Sequence, residues 1–223
     1  MIRAVVFDFD GVIANSEPLH FAAFQDVLAR EGVAFTEQEY YASYLGYDDV
    51  GVFRAVAGAR GLTWDQDRIG GLVGLKAIRL EALEHERSVL FPGAEAAIAR
   101  LAAELPLAIA SGALRAEILR VLHREGLTRF FGAVVAAEDT PASKPAPDPY
   151  LRAVTLLSEK MAQPLAPAEC VAIEDSRWGL DSAQAAGLRT IAVTHTYPAG
   201  SLGSVDLIVD SLDALTVATV CAI

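Results

Sequence analysis

A doubly wound parallel α/β sheet carrying an inserted α-helical bundle is the fold this sequence predicts, and three observations predict it. Short apolar runs recur at residues 4–7, 105–110, 133–137, 170–173, 190–193 and 207–209, with helix-like stretches between most of them. Strand alternating with helix implies a parallel sheet. Some of these runs end abruptly in polar residues and glycine, at the strand ends where open α/β sheets bind ligands. The segment from 15 to 88 breaks the alternation, showing several helical patterns and no convincing strand.

The chain opens on Ala4-Val5-Val6-Phe7-Asp8-Phe9-Asp10-Gly11. The apolar part reads as a buried parallel strand, and Gly11 marks where the backbone turns away from it. Asp8 and Asp10 then stand at the strand's carboxyl end, two apart and on one face. Paired acids repel unless a cation or a shared proton relieves them, and a hard cation such as Mg²⁺ suits an all-oxygen pair. On these residues alone a surface Asp-x-Asp-Gly loop is the alternative.

The helical insert follows. Pro18 suits a first helical turn, and Phe21, Phe24, Val27 and Leu28 recur at helical spacing until Gly32. Stretches at 49–59 and 65–83 complete a small bundle. The chain must leave the sheet and return, so linkers are expected near 14–18 and 88–93, with Pro92-Gly93 as return hinge. The core is therefore expected over 1–14 and 93–223, and the insert with both linkers over 15–92.

Three later segments carry chemistry. Leu107-Ala108-Ile109-Ala110-Ser111-Gly112 is an apolar strand ending in a hydroxyl, then a helical pattern to Glu125. A hydroxyl with backbone N–H groups at a helix start makes an anion site, and the same Ser-Gly serves equally as a helix cap. In Ser143-Lys144-Pro145-Ala146-Pro147-Asp148 two prolines stiffen the chain around one lysine, which is either solvated or aimed at a phosphate or carboxylate. Val171-Ala172-Ile173-Glu174-Asp175-Ser176, then Gly179, is a second strand ending in paired acids. Acids at two parallel strand ends can converge on one cation, and Asp175 or Ser176 can cap the next helix at the same time.

Composition narrows the class. With 223 residues, 53% of them apolar, the chain suits one large domain or a main domain with an insert. A formal net charge of -11 and a pI near 4.8 argue against binding nucleic acid or an anionic membrane. No basic-then-apolar leader precedes Asp8 and no apolar stretch is long enough to span a bilayer, so a cytoplasmic protein is expected. Cys170 and Cys221 form neither a Cys-x-x-Cys pair nor a disulfide framework, which fits a reducing compartment. A monomer is the default expectation, with a homodimer open.

Taken in order, Asp8-Phe9-Asp10-Gly11-Val12, Ser111, Lys144-Pro145-Ala146-Pro147-Asp148 and Glu174-Asp175-Ser176 with Gly179 and Ala186-Gly187 resemble the haloacid dehalogenase superfamily of phosphohydrolases. The resemblance covers nearly the whole chain and implies a Rossmann-like core with an α-helical cap. It implies that Asp8 is the nucleophile, forming an aspartyl-phosphate, and that Asp10 is the general acid and base, protonated through burial and neighbouring charge. It implies Mg²⁺ held by Asp8, the Asp10 carbonyl and Asp175, with Glu174 as a further ligand or through water, and phosphate gripped by Ser111, the Gly112 N–H and Lys144. In the cap, Lys76 and the hinge-side His20 are the implied substrate-reading residues; a solvated helix face is the alternative for the lysine and a partly exposed helix histidine for His20.

The superfamily's dehalogenases and carbon–phosphorus hydrolases lack the second aspartate, so Asp10 points to a phosphoester. The chain resembles β-phosphoglucomutase-like enzymes and phosphatases of phosphoglycolate and sugar phosphates. Where the mutases carry an arginine for a distal phosphate, this chain reads Leu45-Gly46-Tyr47-Asp48-Asp49-Val50. Acids there favour a phosphatase of small phosphorylated metabolites over a mutase. A binding protein that kept the fold without turnover would have lost residues such as Asp8, and they are present.

Overall fold

The structure is a computed structural model and describes residues 1–44, 47, 49–86 and 88–223. The chain divides into two compact units, one made of Met1–Asn15 with Val89–Ile223 and the other of Ser16–Ser88.

The first unit is Rossmann-like. Its strands are β1 (Ala4–Phe7), β2 (Leu107–Ala110), β3 (Phe131–Val135), β4 (Cys170–Glu174), β5 (Arg189–Val193) and β6 (Leu207–Val209). They form one sheet in the order β3-β2-β1-β4-β5-β6, every neighbour pair parallel. β1 is central: Phe7 pairs with Ile109 on one side and with Ile173 on the other. The chain therefore winds outward in both directions from β1, and the crevice outside its carboxyl end is the topological switch point of the sheet.

Burial on both faces explains why β1, β2 and β4 read as unbroken apolar runs rather than alternating ones. Small residues on one face, Ala4, Ala108, Ala110 and Ala172, let α7 (Asp148–Met161) approach closely through Tyr150, Ala153 and Leu157. Phe7 is fully buried with its ring edge-on to Phe131, centroids 6.3 Å apart. Its loss to alanine would cost about 3–5 kcal/mol.

β2 and β3 each start two residues from the expected position, and β5 starts one residue early, at Arg189. Leu105 is taken by the end of α5 (Ala94–Ala102), its N–H donating to Leu101 O at 2.9 Å, so β2 begins after Pro106. β3 begins at Phe131, directly after a turn of 3₁₀-helix over Thr128–Phe130, and ends before residues 136 and 137.

The second unit is helical: α1 (Glu17–Arg30), α2 (Glu37–Ser43), α3 (Asp49–Arg60) and α4 (Gln66–Glu86). Pro18 lies in the first turn of α1, where its missing N–H costs nothing. The core of this unit is aromatic: Phe24 packs edge-on against Phe53, centroids 5.3 Å apart, among Phe35, Tyr40 and Tyr44. The expected bundle omitted α2, although Thr36 and Glu39 carry the sequence signature of a helix start. Thr36 Oγ1 accepts the Glu39 N–H at 3.2 Å. Leu45, Gly46 and Asp48, part of the stretch weighed against the mutase arginine, lie outside the described residues.

Among the described residues no helix is long and apolar enough to cross a membrane.

Candidate active site

Adjacent placement of β1 and β4 makes the site. The Asp8 N–H donates to Ile173 O at 2.9 Å, continuing the strand pairing one residue past β1 and bringing Asp8 beside Glu174. Lys144 comes from the loop before α7, which is held by Ser182 Oγ donating to Ala146 O at 2.5 Å. Its Nζ donates to Asp8 Oδ1 at 2.7 Å and to Glu174 Oε1 at 2.6 Å. Of the two readings of that lysine, the aimed one is therefore what the structure has.

Glu174 is fully buried and heavily bonded. Besides Lys144, the Tyr150 hydroxyl donates to Oε1 at 2.8 Å, while Oε2 accepts from the Asp175 and Ser176 N–H groups and from Ser176 Oγ. These bonds seat it at the N-terminus of α8 (Arg177–Ala185), capped by Ser176, whose Oγ accepts the Gly179 N–H at 3.2 Å. A Cβ on Gly179 would fall 1.8 Å from Glu174 Oε1, so only glycine allows this seat. Gly11 serves the other acid. Its φ of +79° is left-handed, and a Cβ there would fall 1.9 Å from Asp175 Oδ2.

Asp8, Glu174 and Asp175, all buried, each offer a carboxylate oxygen within 4.8 Å of the others. Three acids against one ammonium leave the cluster short of positive charge. Burial, then Glu174, hold the Asp8 carboxyl well above its usual range. Asp175 is pushed up to about 6 by burial and Glu174, against a hydrogen bond with Thr196. Burial alone would lower Lys144, but Asp8 and Glu174 outweigh it and keep the ammonium charged. An all-oxygen, electron-rich donor set of this kind fits a hard divalent cation such as Mg²⁺. Glu174 is the least suited to ligate it, because its oxygens are already committed to five donors.

Two expectations need correction. Asp10 is exposed, not buried, because the chain turns outward at Gly11 as soon as β1 ends. Burial therefore does not supply its protonation. Ser111 is buried with Oγ accepting the Ala113 N–H at 3.0 Å, so it does cap its own loop, but it does not open a helix. The next helix, α6, spans Arg115–Arg124, and Glu117 and Glu138 already accept the Leu114 and Arg115 N–H groups. Any anion here meets the Ser111–Gly112 loop, where Gly112 is exposed and a Cβ would meet nothing within 4 Å.

Three contributors escaped the sequence reading: Tyr150, Thr196 and His195. The His195 ring stacks on Phe91 with centroids 4.1 Å apart, and Nδ1 lies 3.1 Å from the Gly11 carbonyl oxygen. Burial holds this imidazole below its usual range. No local pattern marks these residues, since their partners lie far away along the chain.

In the helical unit, Lys76 and His20 do meet. Lys76 is 1% exposed, with Nζ donating to Asp49 Oδ1 at 2.7 Å and to His20 Nδ1 at 3.0 Å, over the Phe24 ring. A solvated helix face does not describe this lysine.

The family model for haloacid dehalogenase-like hydrolases matches residues 2–187. Protein CbbY of Rhodobacter capsulatus is 32% identical over 213 residues, 89% of this chain and 88% of that protein. A phosphoglycolate phosphatase of Cereibacter sphaeroides is 32% identical over 195 residues, 86% of this chain and 85% of that one. Among solved structures, CbbY from Rhodobacter sphaeroides in complex with xylulose-(1,5)bisphosphate is similar with a TM-score of 0.79 and 27% identity, covering 99% of each chain.

Proposed function

We propose, since this chain belongs to the haloacid dehalogenase-like hydrolase family, that it is a Mg²⁺-dependent phosphatase of small phosphomonoesters working through an aspartyl-phosphate. The observation that carries this reading is Lys144 clamped between Asp8 and Glu174, with Asp175 beside them. A phosphate dianion is repelled by an acid nucleophile, and that arrangement supplies fixed positive charge next to the attacking oxygen.

A free oxygen of Asp8 attacks phosphorus in line, and the P–O bond to the leaving group breaks as the new one forms. Asp10 gives its proton to the leaving oxygen, then takes one from the water that splits the acyl phosphate, restoring both residues. Lys144, Ser111 and the Gly112 N–H hold the non-bridging oxygens through the pentacoordinate transition state. Glu174 keeps Lys144 charged and aimed. Mg²⁺, held by Asp8, Asp175 and the Asp10 carbonyl, would neutralise and orient the phosphate. The helical unit acts as the cap that reads the leaving group, with Lys76 and His20 as its polar residues and the core taken as 1–14 and 93–223.

Substrates of the sugar-phosphate and phosphoglycolate kind agree with the phosphoglycolate phosphatase relative and with the xylulose-(1,5)bisphosphate bound in the similar structure. A mutase using a bisphosphate intermediate is the weaker reading, since Asp49 is an acid already engaged by Lys76 and cannot grip phosphate. The test is inorganic phosphate release from phosphoglycolate, pentose, hexose and bisphosphate esters, with Mg²⁺ and with EDTA. Metal-dependent release is expected; faster interconversion of sugar phosphates than release would overturn the phosphatase reading.

A further inference from the structure

Just past β5, consecutive side chains take hold of two different parts of the site. Thr196 hydrogen-bonds the Asp175 carboxylate, and His195 Nδ1 reaches the Gly11 carbonyl oxygen at 3.1 Å. A carbonyl oxygen only accepts, so Nδ1 is the protonated nitrogen of His195. The loop that presents this pair is itself anchored: the Thr194 N–H donates to Val209 O at 3.1 Å and its Oγ1 to Asp210 Oδ1 at 3.3 Å. The imidazole face is fixed as well, lying 17° from parallel on Phe91, whose N–H donates to Ile13 O at 3.0 Å.

What this anchored ring touches is the Gly11–Val12 peptide, one residue on from Asp10. On the other side of Asp10, the Phe9 carbonyl accepts from the Ile13 and Ala14 N–H groups at 2.8 and 2.9 Å. Gly11 itself is pressed against Asp175 Oδ2 and donates its N–H to Ala14 O at 2.9 Å. Asp10 is exposed, and the backbone turn sets where its side chain starts. His195 supplies a long-range side-chain hydrogen bond to that turn.

We propose that His195 is a positioning residue for Asp10, holding the Asp10–Gly11 turn through its bond to the Gly11 carbonyl so that the acid stays within reach of the leaving-group oxygen. This rests on the phosphatase reading, in which Asp10 protonates that oxygen. It sets a leaving-group signature that a purely structural residue does not have. An alkoxide cannot depart without a proton, whereas p-nitrophenolate can. Misplacing Asp10 therefore harms sugar-phosphate cleavage and spares aryl-phosphate cleavage.

The experiment compares kcat/KM, which reports events up to formation of the aspartyl-phosphate, for a hexose monophosphate and for p-nitrophenyl phosphate. His195→Ala is expected to lower the hexose phosphate value about 30- to 100-fold and the aryl value by about threefold or less. His195→Asn, which keeps an N–H donor near the Nδ1 position, should recover the hexose phosphate value to within about fivefold of wild type. His195→Phe, which keeps the stack on Phe91 and loses the donor, should match the alanine variant. An equal fall on both esters, no fall on the hexose phosphate, or an asparagine variant no better than phenylalanine overturns the proposal while leaving the phosphatase reading intact. Wild-type protein that releases phosphate neither from these two esters nor from phosphoglycolate, pentose or bisphosphate esters overturns that reading, and this proposal with it. Melting points of all three variants separate misfolding from misplacement, and the conservative asparagine variant keeps the comparison decisive.

Discussion

Each unit draws a lysine into its interior, and the two lysines are neutralised in different ways. In the helical unit, Lys76 meets one carboxylate, Asp49, and one imidazole, His20, so the charges balance locally. In the sheet unit, Lys144 meets Asp8 and Glu174 with Asp175 adjacent, so negative charge is left over. A balanced pair needs nothing further to be stable. An unbalanced cluster of buried acids lowers its own stability until added positive charge offsets it. The two clusters therefore differ in charge balance, not in whether a lysine is buried.

The most severe break of that contrast is Asp8→Asn. Turnover should fall by at least about 10⁴-fold, because the proposed nucleophile is gone at constant shape. Removing one of the crowded acids should leave the metal-free melting point at pH 7.5 equal or higher. A variant that still turns over at the wild-type rate removes Asp8 from the mechanism.

Next is Lys144→Met, which deletes the one positive charge that, among the described residues, is bonded to both Asp8 and Glu174. Turnover should drop about 10²- to 10³-fold. Stability should drop by about 3–5 kcal/mol in urea, since buried acids are left without their partner. Full activity in this variant would show that a bound cation alone balances the cluster.

A gentler test uses protons against metal. The Asp175 pKa is raised to about 6 in the folded chain, above the roughly 3.9 of an unfolded aspartate. The folded state thus binds the extra proton, and its stability is full below about pH 4 and lost as the pH rises through about 6. Metal-free protein should therefore melt lower at pH 7.5 than at pH 5. Millimolar Mg²⁺ should raise the melting point more at pH 7.5, where no proton competes. Equal Mg²⁺ shifts at both pH values would detach Asp175 from the metal.

Lys76→Met should do least. It keeps much of the side chain's packing by Phe24, and Asp49, one-third exposed, can return to water. The melting point should change by only a few degrees. The preference between phosphoglycolate and hexose phosphates should move by about tenfold, mostly through KM. An unchanged preference would make the Lys76–Asp49 pair a piece of bundle architecture and nothing more.

Much of this molecule is written locally in its sequence. Apolar runs closed by Asp8, Ser111 and Glu174 mark strand ends, because a strand buried on both faces must be apolar and must stop where polar groups begin. The helical insert is equally legible through Pro18, Phe24 and Gly32, since helix period and helix ends are near-neighbour properties. Even α2, passed over, left its mark in Thr36 and Glu39.

Other features belong to the tertiary structure alone. The order β3-β2-β1-β4-β5-β6 decides that Asp8 and Glu174 are neighbours rather than opposite edges of a sheet. Packing decides that Tyr150 and Lys144 meet on Glu174 Oε1, that Asp10 faces solvent, and that His195 bonds a carbonyl 184 residues away. The physical reason is range. Propensity and burial patterns act over a few residues and are readable in order along the chain, while charge compensation, pKa and placement depend on which distant groups folding brings within a hydrogen bond.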